Sequence, residues 1–167
     1  MIARSPRTAE RPMAFSAGEL LRGAALTYAC FLPLTLPAVL AWAAAIAGGG
    51  GDPAAPASVV QVWLAQLLLA GVWALGALVP ATAVAALIGL GLRRVRRDGV
   101  HLLVHAANGI AFGVLTPLVW LAVEDRYDAL LRLDVLVLAY GAVTGAAAAI
   151  GWLVTSRLAL RATAPAG

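Results

Sequence analysis

Residues 59–97 read VVQVWLAQLLLAGVWALGALVPATAVAALIGLGLRRVRR. Val59 to Leu92 contains no charged side chain, and the run then stops at Arg93, Arg94, Arg96 and Arg97. About 20 apolar residues suffice to cross a hydrocarbon core of ~30 Å. This stretch therefore places the chain in a bilayer. It is also too long for a simple crossing, since at 1.5 Å per residue it extends about 51 Å. Either its first two turns, Val59 to Gln66, lie in the interface, or the helix tilts and bends at Pro80.

Working outward, no charge occurs between Arg22 and Asp52, from Gly99 to Val123, or from Val135 to Ser156. The sequence thus predicts an all-α integral membrane protein, a four-transmembrane-helix bundle made of two helical hairpins. The expected helices cover 17–47, 59–92, 99–123 and 129–160 within a transmembrane domain spanning 17–160. The basic tail 1–16 and the C-terminal tail 161–167 are expected to be disordered. Composition agrees: 62% of the 167 residues are apolar and 12% charged, with mean hydropathy +0.91. A soluble fold of this size has too much surface for its volume to bury that apolar area.

Helix starts carry local signals. Ser16 and Glu19 have the spacing of a capping box, and Ser58 and Gln61 repeat it before the second run. Asp98 and Asp128 are expected N-caps of the third and fourth helices. Gly48 to Pro56 is rich in glycine and proline and reads as a loop.

Arginine sets the orientation. Arg4, Arg7, Arg11, Arg22, Arg93, Arg94, Arg96, Arg97, Arg157 and Arg161 fall on one side, and only Arg126 and Arg132 on the other. The second side also holds Asp52, Glu124, Asp125, Asp128 and Asp134. The excess of arginine on cytoplasmic segments predicts both termini inside, N-in/C-in. Trp42, Trp63, Trp120 and Tyr127 then fall near outer helix ends, and Trp152 near an inner one, as an interfacial aromatic belt requires. All twelve basic residues are arginine, and alanine and glycine abound. That bias suggests a G+C-rich bacterial genome, hence the bacterial cytoplasmic (inner) membrane. The pI near 10.2 follows from it and is not read as nucleic-acid binding.

A rival reading takes the first run as a signal peptide cleaved at Ala45-Ile46-Ala47. The run is longer than the usual ~7–15 apolar residues, and Pro33 and Pro37 interrupt it, so a retained helix is expected. Leu34 to Trp42 and Leu115 to Trp120 echo one another, which chance explains in so biased a composition. Cys30 is the sole cysteine, which excludes an internal disulfide, a CxxC redox pair and c-type haem attachment.

The polar residues worth weighing lie on helix three. Asp98, His101, His105, Asn108, Phe112 and Thr116 recur every three or four residues and share one face. An acid and two histidines at that spacing could hold a divalent metal. The plainer reading keeps His101 and His105 near the cytoplasmic interface, reaching its water. Two histidines stacked on one face cannot ligate one haem from opposite sides. Asn108 is expected to bond a neighbouring helix, with pore lining as the sharper alternative.

Gly141, Gly145 and Ala149 on helix four, and Ala77, Ala81, Ala85 and Gly89 on helix two, repeat small residues every four positions and suit close helix packing. Arg93, Arg94, Arg96 and Arg97 suit anionic lipid headgroups. No nucleophile elbow or glycine-lysine phosphate loop occurs, and no acid lies mid-span. No cofactor is expected. The functional expectation is a non-catalytic accessory, assembly or structural subunit, whose partners are the anionic bilayer and other membrane helices or a homo-oligomer. The alternatives are a small oligomeric transporter or channel lined by the Asn108 face and, more remotely, a metal-dependent membrane enzyme using Asp98, His101 and His105.

Overall fold

The computed structural model describes residues 13–48, 56–123 and 135–163. Those residues form four helices and no strand: α1 Ala17–Gly48, α2 Pro56–Leu92, α3 Asp98–Val123 and α4 Val135–Thr163. Each contains a segment long and apolar enough to cross a membrane.

The start of α1 follows from two side chains. Ser16 N–H donates to Glu19 Oε2 at 2.8 Å, and Glu19 N–H donates to Ser16 Oγ at 3.2 Å. This reciprocal box satisfies two donors that a helix N-terminus leaves over. Pro33 and Pro37 lie inside α1, Pro80 inside α2 and Pro117 inside α3, without ending them.

Two expected caps move. α2 begins at Pro56, so Ser58 already lies within the helix. Proline at the first helical position gives up only an N–H that would be unpaired there anyway. Asp98 is itself the first residue of α3, with Val100 N–H on Arg97 O at 3.0 Å. As an acid in the first turn it opposes the positive end of the helix dipole.

α4 is helical from Val135 to Thr163, past the expected end at 160. The expected start at 129 and the Asp128 cap lie outside the described residues. So do both expected tails apart from residues 13–16 and 161–163, the loop residues 49–55, and Asp52, Glu124, Asp125, Arg126, Tyr127, Arg132 and Asp134. The side chains of Trp42 and Trp120 are also outside the described set.

The helices form a ring in which α4 packs closely on both α1 and α3, while α2 touches α1 and α3 more sparsely. α1 and α3, like α2 and α4, lie across the middle from each other, with no close backbone approach among the described residues. Met13 N–H donates to Arg93 O at 3.3 Å, tying the segment before α1 to the turn after α2.

Glycine explains the tight side. A Cβ placed on Gly109 would lie 2.6 Å from Thr144 O and 2.9 Å from Gly145 Cα, and one on Gly145 would lie 2.6 Å from Ile110 Cγ1. At the other seam, a Cβ on Gly151 would meet Thr27 Oγ1 and sit 2.9 Å from Gly23 O. Backbones that approach this closely gain dispersion contacts, which is what drives helix association in lipid.

The loose side has no such seam. α2 is held by Trp63 Nε1–H donating to Thr35 Oγ1 at 3.0 Å, by Tyr28 O–H donating to Gly71 O at 3.3 Å, by Asn108, and by Ala70 and Ala74 packing against the Phe31 cluster. Thr35 is fully buried and passes its own proton to Leu32 O at 2.6 Å. The outward face of α2 is apolar, with Leu68 75% and Val79 74% exposed. Phe31, Tyr140 and Ala147 form the buried cluster where α1 meets α4.

A candidate binding cavity inside the bundle

Because α2 stands off from the close-packed α1–α4–α3 unit, the middle of the ring is empty. The space is a cavity of about 500 Å³ to which all four helices contribute. The α3 face read from the sequence points into it: His101, His105, Asn108, Phe112 and Thr116 all line the cavity. Asp98 does not; it is exposed at the start of α3. Among the described residues no three histidine, cysteine or acidic side chains come together as a metal site, so the Asp98, His101 and His105 set is not assembled.

The His101 side chain does not reach out to water, as its distance from the helix end suggested. It is 2% exposed. Its Nε2 lies 2.8 Å from Val95 O, an acceptor, so Nε2 carries the proton. The His101 ring stacks on Trp152 at 5.5 Å and 6°, and His105 stacks on the same indole at 6.1 Å and 19°. Trp152 thus turns inward, lining the cavity as a platform for both imidazoles.

Asn108 Nδ2–H donates to Ala81 O on α2 at 3.3 Å. The amide bonds a neighbouring helix at the cavity wall. Opposite it, Ala77, Ala81, Ala85 and Gly89 form the cavity's α2 wall, with the Phe15 ring over Gly89. Ala77, Ala81 and Ala85 line the cavity with small side chains, whereas Gly89 is covered by Phe15.

Gly141 and Gly145 are buried against α3, and Ala149 is half-buried. Their counterparts, Gly109 and Gly113, have the same four-residue spacing and were legible but passed over. Arg94, Arg96 and Arg97 are exposed and Arg93 is half-buried in the α2–α3 turn.

Thr155 was also not singled out. Thr27, Thr116 and Thr144 each donate to the carbonyl four residues back in their own helix, at 2.9, 2.7 and 2.7 Å. Thr155 does not. It is 8% exposed, borders the cavity, and its Oγ1 is buried with no partner. Only a contact-level view reveals this, because a threonine in a helix ordinarily satisfies itself locally.

The cavity is therefore apolar along most of its length. Its polar side chains are spread along it, with Glu19, His101 and His105 where α1 and α3 begin and Asn108, Thr116 and Thr144 further along. Such a space holds an apolar molecule better than a file of hydrated ions. No family model matches the chain, and no curated protein or solved structure is found to be similar to it.

Proposed function

We propose that this chain is a four-span protein of the bacterial cytoplasmic membrane, built as two helical hairpins with both termini inside. It acts as an accessory or assembly subunit by packing against other membrane helices, not by catalysis. The observation that supports this reading is the uneven packing. Glycine seams lock α1, α4 and α3 together, whereas α2 packs more sparsely, on a few hydrogen bonds and small apolar contacts, and offers a broad apolar outer face. A rigid three-helix unit beside a lightly held fourth helix suits the accommodation of a partner. Arg93, Arg94, Arg96 and Arg97 then rest among anionic headgroups of the inner leaflet.

The test is mild detergent extraction followed by mass spectrometry of whatever accompanies the chain. A second membrane protein at fixed stoichiometry is expected; a chain that always emerges alone as a monomer overturns the reading. Reporter fusions after Gly50 and Tyr127 test orientation, and a cytosolic location for either rejects it.

A second reading has one observation in its favour: the Asn108 face lines an interior cavity. On that reading the chain moves a small apolar or weakly polar solute. Flux into proteoliposomes should fall on Asn108→Leu while the helical content survives, and unchanged flux removes the idea.

A further inference from the structure

One end of the cavity is bounded in part by chain that belongs to no helix. Met13 and Phe15 precede α1, and both line the cavity beside Glu19, Gly89, His101 and Leu160, where α1 and α3 begin and α2 and α4 end. Phe15 reaches from the start of α1 to the last turn of α2. A Cβ added to Gly89 would run into its ring, and the three atoms nearest that Cβ all belong to Phe15. Gly89 is buried, whereas Leu90 and Gly91 beside it are exposed. Gly89 is thus a socket that only glycine leaves open to the ring.

The segment is held firmly at one end and lightly at the other. The reciprocal Ser16 and Glu19 bonds fix the point where the chain turns into α1. Before that point, the Met13 N–H bond to Arg93 O at 3.3 Å ties the segment to the turn after α2. A single bond of this kind exchanges for water at little net cost. No glycine seam draws α1 and α2 together at this end, and the two helices pack sparsely. An apolar residue before an N-cap commonly staples onto the fourth helical residue, here Leu20. That role asks nothing of α2 and leaves the match with Gly89 unexplained.

We propose that residues 13–15 are a hinged lid on the interior cavity. With the Phe15 ring seated on Gly89 this end is shut. Release of the ring and of the Met13–Arg93 bond, with the chain pivoting at Ser16, opens it to water. The inference stands apart from both readings of function, because it concerns how the interior is reached and not what the chain assembles with or moves.

The test uses the full chain in phosphatidylcholine nanodiscs and a charged trimethylammonium methanethiosulfonate reagent, with modification mapped by peptide mass spectrometry. Ala85→Cys places a thiol on the cavity wall one turn below the socket. The native Cys30 does not line the cavity and packs against the Phe31 cluster, so it reports any general loosening. Reaction at position 85 should be slow with the lid intact. Adding Phe15→Ala should speed it about ten-fold or more, the shift expected from losing a packed aromatic side chain, with no change at Cys30. If Cys30 accelerates equally, the bundle has loosened, and Gly89→Ala, which displaces the ring but keeps it in the chain, carries the same expectation. A ring that only staples the start of α1 would leave the rate at position 85 unchanged. Such an unchanged rate, or fast reaction at position 85 with Phe15 and Gly89 both in place, overturns the proposal.

Discussion

Replacing Gly109 by alanine should loosen the α3–α4 seam, and replacing Gly76 should not loosen anything. The added Cβ at Gly109 would sit 2.6 Å from Thr144 O, 2.8 Å from Ala148 Cβ and 2.9 Å from Gly145 Cα. Two of those atoms are backbone, so no side chain can rotate away. Restoring separations of ~3.5 Å requires the helices to part by about 1 Å. Overpacking of this kind costs ~1–3 kcal/mol. At Gly76 nothing lies within 4 Å of the added atom. Both substitutions gain the same helix propensity, ~1 kcal/mol. The propensity gain cancels in the comparison, so Gly109→Ala should be less stable than Gly76→Ala by ~1–3 kcal/mol, the steric cost alone. Reversible unfolding in mixed micelles of rising dodecyl sulfate content, followed by circular dichroism, measures the difference. Equal stability of the two variants would refute the close approach of α3 and α4.

Four other outcomes follow from individual contacts. Ser16→Ala should cost ~0.5–2 kcal/mol at the start of α1 and speed amide exchange at Glu19, because half of the capping box is lost. Trp63→Phe removes the donor to buried Thr35, and a loss of ~0.5–1.5 kcal/mol is expected in the same unfolding assay. Asn108→Leu should cost ~0.6–2 kcal/mol by releasing Ala81 O, with proteolysis of α2 rising as it detaches. Thr155→Val should stabilise the protein by about 1 kcal/mol, since it deletes an unpartnered hydroxyl; a loss of that size would show that the hydroxyl is bonded after all.

Much of the architecture is written in charge spacing. The intervals ending at Asp52, Arg93 and Glu124 mark helices because a charge is costly inside hydrocarbon. The Ser16 and Glu19 box is legible because capping depends on local spacing. The α3 face is legible because helical period puts His101, His105, Asn108 and Thr116 in line. Helix neighbours are not legible in the same way, since lipid and leucine are equally apolar and hydropathy says nothing about which helix meets which. The burial of His101 was missed for a related reason: position along a helix gives depth, not the direction a side chain faces. The α2 alanines are less informative still. Small size permits a close approach but does not guarantee one, and here Ala77, Ala81 and Ala85 line the cavity. Pro56 outranks Ser58 as a helix start because the fixed backbone angle of proline already suits the first turn.

The ring order has a consequence for biosynthesis. α1 emerges first, yet the glycine seam it needs is completed only by Gly151 and Thr155, near the end of the chain. Until those residues leave the ribosome, α1 has only its sparser contact with α2, which includes the Trp63–Thr35 and Tyr28–Gly71 bonds. Chains are made at ~5–20 residues per second, so the half-built protein waits seconds for its closing helix. Premature stops beyond Val123 should therefore yield inserted but unlocked fragments, ready substrates for the quality-control proteases of the membrane.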